Sequence, residues 1–459
     1  MKRKPLHIVK AGSAEWPNYA YGFAAAPDYT RDVPAAIIIC HDTDDVRAAL
    51  LYVTQSNLPF RIRGGRHNYE GHSSRVKDGI IIDIRCLNAI QRLSENLFQA
   101  GSGVNMFELT EFLNVHGQAM PYATGGTVGL AGFLMGGGVS VNSRLWGLGS
   151  MHVESFLIVL ADGTCHSVSP ESDPDLFWAT LGGGDGNYGI VISFTLRTHT
   201  LTTVGVMSIT WGWDQFEHVM DTWQHELLRQ PRELTTFLTL RANRTIELSG
   251  QWTADMASEE TVLQALDPLL KVESPLQTTI QCIPHALATR MFLRVSEATP
   301  LGWHAAIKQQ LFKSTSSFAY LPFPPKAIAK LKQHLERHPQ LQTVPDEQSM
   351  IRLLGSGGAC QDEGPHQIAT PHQQALFILQ YDGYWSDPID AQAVQEWTNN
   401  AKILLSPYTS GAYSNYVDDE IPISERNVEY YGNLASRLRE VKHRVDPTNL
   451  FSFPHSLTP

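Results

Sequence analysis

The sequence predicts an α+β fold of two unlike regions, and three observations predict it. The first two hundred residues alternate short β-branched runs with amphipathic helical stretches, with glycine clusters at the junctions. Beyond Thr203 longer alternating runs take over, the pattern of an antiparallel sheet with helices on one face. The last fifty residues form a helical stretch stopped by Asp446-Pro447. Residues 1–202 therefore read as one domain, 203–410 as a second, and 411–459 as a closing segment.

Taken in order, Ala35 to Cys40 is an unbroken apolar run and reads as a buried strand. Asp42 to Asp45 offer N-caps for a helix whose Val46, Ala49, Leu50 and Val53 fall on one face. Phe60 to Arg63 is a strand that leads into a glycine-flanked loop, and Ile80 to Ile84 is another strand. Gly101-Ser102-Gly103 precedes Asn105, which with Glu108 makes a capping box for a helix ending near Gly117. Strand Phe156 to Leu160 turns at Asp162-Gly163. Asp173-Pro174 opens a short helix ending at Gly182, and Ile190 to Phe194 is a buried strand. In the second region, Thr235 to Arg241 and Thr245 to Trp252 flank Ala242-Asn243-Arg244 as a hairpin. Helices at Glu259 to Lys271 and Lys326 to Glu336, strands at Met350 to Leu354 and Ala375 to Tyr381, and a last helix at Val428 to Val441 complete the prediction.

Composition excludes several classes of function. At 459 residues and 42 % hydrophobic content the chain can build two substantial cores. A formal charge of −11 and no basic stripe argue against nucleic acid or an anionic membrane as partner. The basic start Lys2-Arg3-Lys4 runs into Pro5, Leu6 and His7 rather than an apolar segment, so no secretory signal is expected, nor a membrane span, and the expected location is cytoplasmic. Cys40, Cys86, Cys165, Cys282 and Cys360 are widely spaced and odd in number, which points to buried thiols and to no metal site.

Chemistry is concentrated in four segments. The loop from Arg63 through Gly64, Gly65, Arg66, His67, Asn68, Tyr69 and Gly71 to His72 lets bare backbone approach a flat ring, with His67 as a neutral nucleophile. One histidine among 18 in a glycine-rich turn is by itself more often a structural hydrogen-bonder. Gly101 marks the second segment. The third runs from Gly125 through Thr127, Val128, Gly129 and Gly132 to Gly137, Gly138 and Val139, and a related run ends at Gly189 before Val191. Amides without Cβ atoms can wrap a pyrophosphate, yet neither a Rossmann fingerprint nor a P-loop is present. The fourth segment is C-terminal: Tyr413-Ser414-Asn415-Tyr416, then Asp446-Pro447-Thr448-Asn449-Leu450-Phe451.

Together these motifs resemble the berberine bridge enzyme-like family of FAD-linked oxidases, within the vanillyl-alcohol oxidase superfamily, over about residues 34 to 454. The resemblance implies a PCMH-type FAD-binding domain of two α/β subdomains, closed by the C-terminal segment, with the substrate domain inserted between. It implies FAD carried covalently by His67 through the 8α carbon. Two departures stand out. Gly125 occupies the position of the cysteine that anchors the flavin a second time in many relatives, so a single attachment is expected, and a weaker oxidant with it. Val139 replaces an active-site tyrosine of plant relatives. Val128 matches the small residue that admits dioxygen, which favours an oxidase releasing hydrogen peroxide. A dehydrogenase using another acceptor, and a catalytically silent flavin-bearing protein, stay open as alternatives.

Hydride abstraction from an alcohol or amine carbon needs a base. By resemblance Tyr416 is the first candidate and Tyr413 the second, with Tyr69 in support, while Gln380, Tyr384 and Trp385 line a pocket for a small-molecule substrate. A tyrosine with pKa about 10 serves as base only where a cation or donor favours its phenolate.

Overall fold

A computed structural model describes the chain except residues 1–4, 26–30, 185, 255–257, 273, 297–308, 346–347 and 365. The basic start at 2–4 and Asp185 of the second glycine run lie outside the described residues.

Three sheets position everything else. The first contains β1 (His7–Lys10), β2 (Ala36–Ile39), β3 (Phe60–Arg63) and β4 (Ile80–Asp83) in the order β1-β2-β4-β3. Strands β2 and β3 flank β4 in parallel, and β1 is antiparallel to β2. β2 and β4 are buried throughout, which explains their unbroken isoleucine runs: a parallel strand covered on both faces has no polar side to present. The helix Thr43–Gln55 follows β2, capped where Asp42 accepts the Asp45 amide at 2.8 Å, and it buries Val46, Ala49, Leu50 and Val53.

The second sheet is antiparallel, with β5 (Ile90–Arg92), β6 (Leu97–Gly101), β7 (Val153–Val159), β8 (Cys165–Val168) and β9 (Ile190–Arg197) in the order β5-β6-β9-β7-β8. Its helix Met106–Val115 opens on the expected capping box, Asn105 accepting the Glu108 amide at 2.9 Å while Glu108 accepts the Asn105 amide at 3.1 Å.

Seven strands make the third sheet: β10 (Thr203–Trp211), β11 (Leu234–Arg241), β12 (Ile246–Trp252), β13 (Gln277–Pro284), β14 (Phe312–Ala319), β15 (Met350–Gly355) and β16 (Phe377–Tyr384). Their order is β13-β10-β12-β11-β15-β16-β14, all neighbours antiparallel. Met207, Ile209 and Trp211 of β10 pack into a core with the helices Phe216–Glu226, Glu259–Leu270, Pro325–Glu336 and Ala391–Leu405. Alternation sends Val204 and Val206 to the opposite face, where the helix His285–Leu293 packs on them through Ala288. The expectation of helices on one face alone is thus corrected: this helix lies on the other face, against Met106–Val115, and Arg290 pairs with Glu111 at 2.5 Å.

The predicted helix over Val428 to Val441 is two helices, Ile423–Tyr431 and Ala435–Val445. Gly432 divides them with φ at 53°, a left-handed conformation that turns the chain. The second helix docks on Pro174–Thr180, with the Arg437 guanidinium 4.0 Å from the Trp178 ring centre. Fully buried Lys442 ties this end together, donating to Asn187 O, Asp446 Oδ2 and Phe451 O at 2.7–2.8 Å. Asp446 in turn accepts the amides of Leu450 and Phe451, which is the structural meaning of the Asp-Pro-x-Asn-x-Phe motif. Among the described residues no helix is long and apolar enough to cross a membrane.

Replacing Lys442 by Met leaves Asp446 buried and uncompensated, so unfolding stability should fall by about 3–5 kcal/mol. The urea midpoint of Lys442→Met against the parent chain measures it, and an unchanged midpoint contradicts the role assigned to Lys442.

Candidate active site

The loop after β3, the glycine run after Thr124, the outer face of the third sheet and the Tyr413–Tyr416 segment enclose one cavity of about 520 Å³. That is within the usual range for a cofactor or substrate pocket. Two glycines make the enclosure possible. A Cβ on Gly65 would overlap the backbone of Gly129, and one on Gly129 would lie 2.6 Å from the Gly65 nitrogen, so the two segments interlock only as bare backbone.

His67 sits half-buried in this wall, stacked on Phe23 at 4.4 Å between ring centres, with Nε2 2.8 Å from the Thr127 hydroxyl. Desolvation, helped by the neighbouring Arg66 charge, pushes its pKa down to about 3, so the imidazole is neutral at ordinary pH. Arg66 itself holds φ at 61°, a conformation costing an L-residue about 1–2 kcal/mol, and it turns the chain so that His67 faces the cavity.

Tyrosines build the opposite side. Tyr69 stacks on Tyr416 with centroids 5.3 Å apart, and Tyr413 meets Tyr416 edge-on at 5.0 Å. The Tyr413 hydroxyl accepts hydrogen bonds from the Gly138 amide and from Asn415 Nδ2, each at 3.0 Å. Burial, reinforced by Tyr413 and Asp382, raises the Tyr416 phenol above its usual range, and burial with Tyr416 and Asp382 raises Tyr69 likewise. Arg352 pulls both down and loses to these effects. Both phenols are therefore shifted toward the protonated form, which goes against the expectation of a tyrosinate base.

On the third sheet Met350, Arg352 and Leu354 of β15 and Gln380, Asp382 and Tyr384 of β16 recur at every second residue, all toward the cavity. Asp382 is almost fully buried. Its Oδ1 accepts the Ser314 hydroxyl at 2.6 Å and Gln380 Nε2 at 3.2 Å, and Gln380 also reaches the Tyr69 hydroxyl at 3.5 Å.

Most residues singled out from the sequence line this cavity: Gly64, Gly65, Arg66, His67, Asn68, Tyr69, His72, Gly125, Thr127, Val128, Gly129, Gly132, Val139, Gly189, Val191, Gln380, Tyr384, Tyr413, Asn415 and Tyr416. Six do not. Arg63 is fully buried in an ion pair with Asp83 at 2.6 Å, and Gly71 forms the left-handed turn behind the loop. Gly101 is packed against the Leu87 carbonyl, Gly137 and Gly138 turn the chain after Leu130–Met135, and Trp385 is buried with its amide on Leu311 O. These six act one layer back, on the framework. Sequence reasoning missed Phe23, Phe312, Arg352, Asp382 and the stretch Leu293 to Val295, which also line the cavity. Strand alternation from Gln380 would have reached Asp382, whereas the pairing of Arg352 with Gln380 depends on sheet register.

The cradle fits FAD. The amides of Gly65, His67, Asn68 and Tyr69 have no acceptor among the described residues, and they lie on the cavity wall beside a neutral imidazole and the glycine interlock, a set of free donors suited to a ligand's acceptors. Residues 34–169 match the FAD binding domain family, and 412–458 match the berberine and berberine-like family. The uncharacterized FAD-linked oxidoreductase YgaK of Bacillus subtilis is 32 % identical over 434 residues, covering 93 % of this chain and 91 % of that one.

The chain belongs to the berberine bridge enzyme-like FAD-linked oxidoreductases.

Among solved structures, Physcomitrella patens berberine bridge enzyme-like 1 superposes with a TM-score of 0.89 at 21 % identity, over 98 % of this chain and 96 % of that one. A xylooligosaccharide oxidase from Myceliophthora thermophila C1 in complex with xylobiose gives 0.87 at 22 %, over 99 % and 97 %. At such identities they establish the fold alone. The protein is an oxidoreductase of this family with FAD as its cofactor.

Four histidines carry a pH consequence for the oxidoreductase. Burial lowers His67 and His152 to about 3, and His285 and His372 to about 4. Below about pH 6.5 the unfolded chain binds protons there that the folded chain refuses, so stability is full above that pH and falls on acidification toward pH 4. Each histidine contributes up to about 1.4 kcal/mol per pH unit. Urea midpoints at pH 7 and pH 5 should differ in that direction, and an equal or higher midpoint at pH 5 counts against it.

Proposed function

We propose that this oxidoreductase is an oxidase that carries FAD on His67 alone and oxidises an alcohol or amine carbon of a small molecule, releasing hydrogen peroxide. The observation that carries the reading is the state of His67: neutral, on the cavity wall, and held through Nε2 by Thr127. In that orientation Nδ1 is the nitrogen left to bond the flavin. None of the five cysteines lines the cavity, which supports a single covalent hold.

FAD, when bound, supplies the hydride acceptor and returns the electron pair to dioxygen. The protein's own share of the work is positioning and proton removal. Asp382 is the base in this reading, a carboxyl on the cavity wall with acceptor oxygens, whereas Tyr416 and Tyr69 are both pushed toward the protonated form. The two phenols then orient the substrate's hydroxyl as donors, and Gln380 links Tyr69 to Asp382. Tyr413, engaged with Gly138 and Asn415, fixes the segment that carries Tyr416. Small Val128 and Val139 on the wall support access of dioxygen and leave room for substrate. The relative complexed with xylobiose makes oligosaccharides one class for a panel that also holds aromatic alcohols and amines.

His67→Ala should leave any flavin it incorporates removable by acid precipitation, whereas the parent chain should keep yellow colour in the washed pellet. A colourless parent pellet refutes covalent attachment. Asp382→Asn should lower kcat roughly 100-fold or more with flavin content retained, and should abolish the acid limb of the kcat/KM profile. If Tyr416→Phe removes that limb instead, the tyrosine is the base. Slow reoxidation of the reduced protein in air, followed by stopped-flow absorbance, would move the assignment to a dehydrogenase.

A further inference from the structure

The charge of the cavity is opposite to that of the chain. The protein carries −11 formally, yet the cavity is lined by Arg61, Arg66, Arg294 and Arg352 with Asp382 as the lining's one carboxylate. A dianionic FAD pyrophosphate does not neutralise that excess. Three of these arginines belong to the first two sheets' side or the rim: Arg61 on β3, Arg66 in the His67 loop, and Arg294 after the helix His285–Leu293.

Arg352 stands apart from them, on the third sheet among the candidate substrate-facing residues. It is half-buried, and its one hydrogen-bond partner among the described residues is the Met350 thioether at 3.7 Å, a weak acceptor. It makes no ion pair among the described residues. Arg241, which shares the same sulfur at 3.6 Å, is by contrast paired with Glu247 at 3.0 Å. A guanidinium taken partly out of water with no carboxylate in ion-pair contact is costly, and a fork of donors is shaped for a carboxylate. Arg352 faces Gln380 across β15 and β16, and Asp382 is two residues further on. Such diagonal neighbours on one sheet face are about 7–8 Å apart at the backbone, so an anion on Arg352 lies a few bonds from a hydroxyl held at Asp382.

We propose that Arg352 binds a carboxylate of the substrate, making the substrate class hydroxyl-bearing acids such as sugar acids or aromatic hydroxy acids rather than neutral alcohols. This rests on the oxidase reading of the cavity and narrows it. The carboxylate anchors the molecule bidentately while the carbinol, a short distance along the sheet face, is presented for oxidation.

Matched pairs test it in the holoenzyme: D-glucuronate against its methyl ester, and mandelate against methyl mandelate. The acid of at least one pair should be preferred in kcat/KM. Arg352→Gln should cut that acid's kcat/KM about 10- to 100-fold, mainly through KM, and the ester's by at least several-fold less, with flavin content unchanged. Arg352→Lys should restore part of the loss. Benzoate, which cannot be oxidised, reads the same contact without turnover: it should perturb the oxidised flavin spectrum of the parent but not of Arg352→Gln, and benzamide should perturb neither. Preference for the esters, an acid preference that survives in Arg352→Gln, or no benzoate response in the parent overturns the proposal. A benzoate response that depends on Arg352, with no substrate reducing the flavin, keeps the anion site and sinks the oxidase reading instead.

Discussion

One buried ammonium holds the site together. Lys313 of β14 lies between Glu70 and Asp418, at 2.7 and 2.6 Å. Glu70 follows His67 by three residues, and Asp418 follows Tyr416 by two, so a single side chain of the third sheet joins the flavin loop to the C-terminal tyrosine segment. Burial works against its charge, but the two carboxylates outweigh that and hold Lys313 protonated above its ordinary range. Without it two carboxylates would face each other in a poorly solvated gap, and all three cavity walls would lose their common reference. Glu70 also accepts the Asp419 amide at 3.2 Å, while Asp419 is bound by His72 and His455, so the clamp continues into the last residues of the chain.

That clamp sets distances, and the glycine interlock sets shape. Gly65 against Gly129 brings the two loops close enough to place the Thr127 hydroxyl on His67. The same tight packing removes water from the imidazole, which keeps it neutral. On the facing wall burial shifts the Tyr69 and Tyr416 phenols toward the protonated form, beside the Asp382 carboxyl and the Arg352 side chain. Burial thus acts on both walls, lowering the pKa of His67 and raising those of Tyr69 and Tyr416.

Much of this was legible in the sequence because its signals are local. The helix starts at Asp42, Asn105 and Asp173 depend on side chains bonding to amides three residues on, and those bonds are present. The lengths of β2 and β4 followed from their isoleucine runs. The break at Gly432 was missed because the helical pattern on either side is continuous in period, and the positive φ there comes from docking the two helices separately. The helix His285–Leu293 was missed for a different reason: it is short, and its place is decided by the helix Met106–Val115, far away in the chain.

At the site, the sequence by itself determined which loops and which histidine line the cavity, since bare glycine backbone and an adjacent imidazole are requirements of residue type at fixed spacing. Which groups share the opposite wall was decided only by the tertiary structure. Arg352, Asp382 and Gln380 come together through strand register, and Lys313, Glu70 and Asp418 through a contact among three segments each more than a hundred residues from the others. Register and burial belong to the folded sheet, and they alone set the two phenols, the Asp382 carboxyl and the Arg352 side chain on one wall.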